Sequence, residues 1–128
     1  MKEESAFTVL EIIVVVVIIA ILASLTLPNL SKTLSKNREK LAVSNLKMIL
    51  NAEKLYRARN DKFFPDSGDE AELDKINENL NLDIESQYFD YTVKASGQYS
   101  FKAYAKDKNS PGIEYIIDPE GTIEYPDD

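Results

Sequence analysis

The 128-residue chain contains no cysteine and no histidine. Without cysteine there is no disulfide scaffold and no thiolate metal site. Without histidine the chain lacks the usual general base and the commonest transition-metal ligand. Positive charge is also scarce: 15 Lys and Arg stand against 22 Asp and Glu, a formal net charge of −7. A nucleic-acid binder needs a basic footprint, so no nucleic-acid partner is expected. These absences argue against an enzyme, and neither a cofactor nor a resident metal is expected.

What the chain does have is hydrophobicity, concentrated at one end. Residues 12–27 read IIVVVVIIAILASLTL, with no charge and only Ser24 and Thr26 as polar breaks. Extended back to Phe7, the stretch passes about twenty residues, enough to cross a hydrocarbon core of ~30 Å as a helix. A cleaved secretory signal would carry a basic flank and a small-x-small cleavage site after the apolar region. Here the flank is MKEESA, with Lys2 against Glu3 and Glu4, and Pro28 follows the run. Glu11 is the anomaly. A carboxylate within a span costs several kcal/mol unless it is paired, which makes it a functional candidate; otherwise it marks the membrane edge.

The block Ala6-Phe7-Thr8-Val9-Leu10-Glu11, followed by the aliphatic run and by Pro28 seventeen residues after the glutamate, covers the first quarter of the chain. It closely resembles the prepilin N-terminus shared by type IV pilins and type II secretion pseudopilins. The resemblance implies a leader over residues 1–6, cleavage between Ala6 and Phe7 by a prepilin peptidase, and N-methylation of Phe7. It also implies that Phe7, Thr8, Glu11 and Pro28 serve assembly, with Glu11 pairing with the Phe7 amine of a neighbouring subunit. The partners so implied are further copies in a helical filament, the pilus or secretion assembly machinery, and the inner membrane. The subunit would sit in that membrane before assembly and in an extracellular pilus or periplasmic pseudopilus afterwards. The pattern is departed from at Ala6, where the family usually has glycine, and in the acidic leader. Lys32, Lys36, Arg38 and Lys40 would by the positive-inside rule place the C-terminal part in the cytoplasm, the opposite of what the resemblance implies.

Beyond the apolar run, Pro28 lacks an N–H and should kink or loosen a helix, yet helical periodicity resumes at once. Leu30, Leu34, Leu41, Met48, Ala52 and Leu55 form one stripe, and Ala42, Leu46, Ile49 and Tyr56 an adjacent one. One stripe is expected to be covered by the chain's own sheet and the other left to neighbouring subunits. The core is expected to pair Leu41, Met48, Ala52 and Leu55 with Phe89, Tyr91, Phe101 and Ile117. Residues 61–87 are polar; Ser67 with Glu70, and Asp69 with Glu72, make overlapping capping-box patterns ahead of a short helix carrying Leu73, Ile76 and Leu80. The acidic residues Asp66, Asp69, Glu70, Glu72 and Asp74 do not have the spacing of an EF-hand loop, so a solvated helix start is the better reading. The loop 107–112 holds oxygen ligands but few carboxylates.

From residue 88 the period shifts towards two, and four strands are expected, over 88–94, 99–106, 112–117 and 122–125. Residues 95–98 read as a hairpin connection, and Asp118-Pro119-Glu120-Gly121 as a turn. No aromatic residue lies between Phe7 and Tyr56, so an aromatic ladder through a filament core is not available. The later tyrosines suit a sheet. The expected fold is α+β and pilin-like, a lollipop in which a long N-terminal membrane-spanning helix packs on a small antiparallel four-stranded sheet. The expected segments are a 7–30 filament-core helix and a 31–128 globular domain, divided into helix 31–60, connecting loop 61–87 and sheet 88–125. The leading functional expectation is a structural subunit of a type IV pilus-like filament. The alternatives are a type II secretion pseudopilin and a membrane-tethered binding module that forms no polymer.

Overall fold

The computed structural model describes residues 8–126, with the side chains of 26–32 outside that description. Seven elements follow one another: α1 (Val9–Asn60), β1 (Glu70–Glu72), α2 (Leu73–Leu80), β2 (Phe89–Ala95), β3 (Phe101–Asp107), β4 (Glu114–Ile117) and β5 (Ile123–Glu124). The fold is α+β. By its contacts the chain divides into two units that meet within α1, one ending at Asn37 and the other beginning at Arg38.

In the first unit, α1 carries the apolar run. Among the described residues no helix is long and apolar enough to cross a membrane; the expected span over residues 7–30 includes residues outside that description. Within the run, the Ser24 hydroxyl donates to the Ile21 carbonyl at 2.9 Å, which satisfies a polar group that has no apolar partner. The helix continues through position 28, as the resumed periodicity implies.

In the second unit the sheet has five strands in the order β1-β2-β3-β4-β5, all pairs antiparallel, rather than the expected four. The additional strand is β1, at the edge, with Ala71 opposite Val93. Its two glutamates point outward and only Ala71 is buried, so three residues suffice to close an edge with charge on it. The capping boxes expected at Ser67–Glu70 and Asp69–Glu72 are therefore not formed. Glu70 and Glu72 belong to β1, and α2 starts after Glu72 with no side-chain cap. β2 and β3 alternate buried positions with exposed or half-buried ones up to Lys106, the period-two signature of a sheet with one covered face.

The inward residues of that sheet include Phe89, Tyr91, Val93, Phe101, Ala103, Ala105 and Ile117, each at most 2% exposed. The helix residues enclosed with them are Ala42, Leu46, Ile49, Leu50 and Ala52. Ala52 is enclosed as expected, but for the other three expected helix residues the choice of face is overturned. Leu41, Met48 and Leu55 are 39%, 41% and 62% exposed, whereas Leu46 and Ile49 are fully buried. Neighbouring residues lie ~100° apart around a helix, so Leu41 and Ala42 cannot share one face, and the adjacent stripe is the one that docks. Ala103 and Ala105, small inward residues of β3, belong to the same core as Leu46 and Ile49. Near the chain's end, the Gly121 N–H donates to the Asp118 carbonyl at 3.0 Å, closing the expected turn. Gly121 has φ of +89°, and a Cβ there would lie 3.6 Å from Leu50, so the turn abuts α1.

Candidate functional site

The candidate site begins at the first described residue. The Thr8 N–H donates to Glu11 Oε2 at 3.2 Å, and the Glu11 N–H donates to Thr8 Oγ1 at 3.1 Å. The Ile12 N–H adds a bond to the Thr8 carbonyl at 3.2 Å. Thr8 and Glu11 thus form a reciprocal capping box that satisfies amide donors at the start of α1. The carboxylate also lies where the helix dipole favours negative charge. The Thr-x-x-Glu spacing is the signal of this cap in the sequence, one that sequence reasoning did not use. Ala6 and Phe7, the predicted cleavage and methylation residues, lie outside the described residues. Pro28 falls within α1, and its side chain is outside the description.

Beyond the box, every large apolar side chain described over residues 9–25 is exposed, from 48% at Val14 to 74% at Val9. Glu11 is the only charged residue on that surface. In the second unit, Leu41, Met48 and Leu55 form an exposed apolar line at seven-residue intervals, the spacing of a helix seam. Leu34, one interval earlier in the first unit, is 48% exposed.

Elsewhere some charges are paired. Lys62 pairs with Asp66, Lys94 with Glu70 at 3.8 Å, and Lys108 with Asp90 at 3.9 Å. The Asp107 Oδ1 accepts from the Asn109 and Ser110 amides at 2.8 and 3.0 Å, so this carboxylate organises its own loop. Among the described residues no group of three His, Cys, Asp or Glu side chains could hold a metal ion. Asn45 donates to the Tyr91 hydroxyl at 2.8 Å, tying α1 to β2, and burial pushes the Tyr91 phenol up from its ordinary value.

One carboxyl group was passed over in the sequence. Glu53 is fully buried, and its Oε1 accepts from the Phe64 N–H at 3.1 Å. Its Oε2 has no partner. Burial drives its pKa up to about 8, against the weaker downward pull of the Phe64 amide. At neutral pH it is therefore largely an uncharged acid.

Compared with known proteins, the chain is 40% identical over 62 residues to the type II secretion system core protein G of Aeromonas hydrophila, covering 48% of this chain and 43% of that protein. The chain thus matches less than half the length of that relative. No family model and no solved structure matches it. Together with the block from Ala6 to Glu11, this similarity bears out the resemblance to the type IV pilin and type II secretion pseudopilin family.

Proposed function

We propose that the chain is a pilin-like structural subunit of a type II secretion pseudopilus. The observation that carries the reading is the exposed Val, Ile and Leu surface over residues 9–25, bearing a single carboxylate at its N-terminal end. Soluble monomers rarely leave contiguous apolar patches of more than a few hundred Å² in water, so this surface belongs in lipid or against other helices. The relative's name favours the secretion pseudopilus over the surface pilus among filaments that share this N-terminal block. A type IV pilus subunit remains the second reading, supported by that block.

The mechanism follows from what changes on assembly. The chain is inserted in the inner membrane as a prepilin through residues 7–30, cut between Ala6 and Phe7, and N-methylated at Phe7. Moving an aliphatic helix from lipid to a bundle of like helices gains little hydrophobic energy, because lipid tails are as apolar as leucine. Packing and polar pairing must then decide register. An unpaired carboxylate in hydrocarbon is penalised, and an ammonium from a neighbour's Phe7 relieves that penalty only in the docked geometry. The exposed line of Leu41, Met48 and Leu55 extends the contact along the second unit.

The test is assembly of Glu11→Ala and Glu11→Gln subunits in cells producing the secretion machinery. Intact-mass analysis of the wild-type filament should show loss of residues 1–6 and one added methyl group. Both variants should be membrane-inserted and processed, yet yield far fewer sheared filaments per membrane-pool subunit. Wild-type yields from both, or filaments that retain Met1, would refute the reading.

A further inference from the structure

The connection over residues 61–69 crosses from the end of α1 to β1 and is tied at several points. The Phe63 N–H donates to the Gln98 carbonyl at 3.2 Å, and Gln98 Nε2 donates to the Asp61 carbonyl at 2.9 Å. The Gly68 N–H donates to the Ala95 carbonyl at 3.1 Å. These bonds hold the connection to the β2–β3 hairpin. Its bond to α1 from the middle of the loop is different in kind, because the Phe64 N–H reaches a fully buried side-chain carboxyl, that of Glu53.

Among the described residues no charge compensates that carboxyl. On its own helix, Arg57 is one turn on, but its guanidinium lies over the rings of Phe63 and Tyr99 at 5.2 and 5.0 Å. The Tyr56 ring packs edge-on against Phe64 at 5.8 Å. On the connection, Lys62 and Asp66 pair with each other, and at β1 Glu70 pairs with Lys94 of β2. None of these pairs with Glu53, whose Oε2 is left without a partner. An ionised carboxylate in that place has two outcomes: it stays buried and uncompensated, which is strongly unfavourable, or the loop covering it opens and water solvates it.

We propose that Glu53 is a proton-dependent clasp on the 61–69 connection, holding the loop against α1 while protonated and releasing it on ionisation. The clasp goes beyond filament assembly, and it uses none of the assembly residues. Burial supports it, since the closed carboxyl keeps its proton up to about pH 8, whereas an open one ionises near its ordinary 4.5. Between those limits the open state has lost the proton and the closed state has not. Opening therefore becomes about tenfold more favourable per pH unit and levels off above the upper limit.

The test is amide hydrogen exchange of the full chain in detergent micelles, from about pH 5 to about pH 8.5, corrected for the intrinsic rise in exchange rate. The Phe64 amide should lose about tenfold in protection per pH unit. At each pH it should also be less protected than the Ala105 amide in β3. Glu53→Gln keeps an acceptor for Phe64 but cannot ionise, and its Phe64 protection should be flat. In the wild type, the Glu53 carboxyl carbon should titrate near 8 by NMR, a readout independent of whether the variant folds. Four results would overturn the clasp: flat protection in the wild type, the same slope in Glu53→Gln, equal protection at Phe64 and Ala105, or a Glu53 carbon titrating near 4.5.

Discussion

The choice of helix face is the sharpest quantitative consequence of the fold, because two adjacent stripes on α1 make opposite predictions. Leu46 is fully buried, among inward side chains whose backbones are fixed by the β2–β3 ladder. Leu46→Ala removes three carbon atoms from a site that the ladder keeps from collapsing, so both the transfer loss and a residual cavity count. That combination costs about 2–5 kcal/mol. A domain of this size has about 5–15 kcal/mol in total, and each kcal/mol moves its melting temperature by about 4–8 °C. At about 3 kcal/mol the expected drop is therefore ~12–24 °C. Leu55, 62% exposed, and Met48, 41% exposed, have little or partial burial to lose. Leu55→Ser should change stability by no more than about 0.5 kcal/mol, and Met48→Ser by less than Leu46→Ala. The assay is urea unfolding of a fragment from residue 31 onward, with midpoints compared at unchanged slope. Met48→Ser or Leu55→Ser costing as much as Leu46→Ala would refute the docking of α1 described here.

Two other outcomes follow. Phe101→Ala, which empties a fully buried site where the Phe63 ring meets Phe101 edge-on at 4.7 Å, should cost about 3–5 kcal/mol in the same assay; a loss below about 1 kcal/mol would mean that the ring is not in the core. The raised pKa of Glu53 also fixes the sign of pH dependence: the stability it contributes is full below about pH 4.5 and is lost as pH rises through about 8. The slope is at most about 1.4 kcal/mol per unit, and Glu53→Gln should remove it; a stability that rises over this window by the same measure would contradict the burial.

The sheet was the most legible part of the chain, since Tyr91, Val93, Phe101, Ala103 and Ala105 alternate with polar residues at period two. Strand ends shifted by one or two residues because hairpin geometry, not side-chain pattern, decides where pairing stops: β3 begins at Phe101, after the Ser96 amide has met the Ser100 carbonyl. β1 was not legible. A Glu-Ala-Glu triplet has the composition of a helix start, and what makes it a strand is Val93 opposite Ala71. The helix face was ambiguous on periodicity, because both stripes recur at helical spacing. Glu53 carries no sequence signal. A glutamate in a helical run reads as solvated until the Phe63–Phe64 loop is laid over it.

The Thr8–Glu11 box bears on the proposed assembly role, because a carboxylate already satisfied by its own helix might seem to need no neighbour. The two roles act on different atoms and different energies. The box engages Oε2 through one amide N–H and leaves Oε1 outside that bond. A carboxylate has about four lone-pair sites, so capping leaves acceptor capacity for an ammonium. Nor does the cap neutralise charge: the helix N-terminus offers only about half a positive charge, spread over several amides. In lipid or in a helix bundle the remaining charge is still penalised. What the box does supply is direction. A free glutamate side chain loses up to about 2 kcal/mol of rotamer entropy when a partner fixes it, and a carboxylate already held by Thr8 has lost most of that before docking. Under the proposed assembly role, Thr8 and Glu11 would act as one unit, with Glu11 supplying the charge that selects register and Thr8 holding it in place for the neighbour's amine.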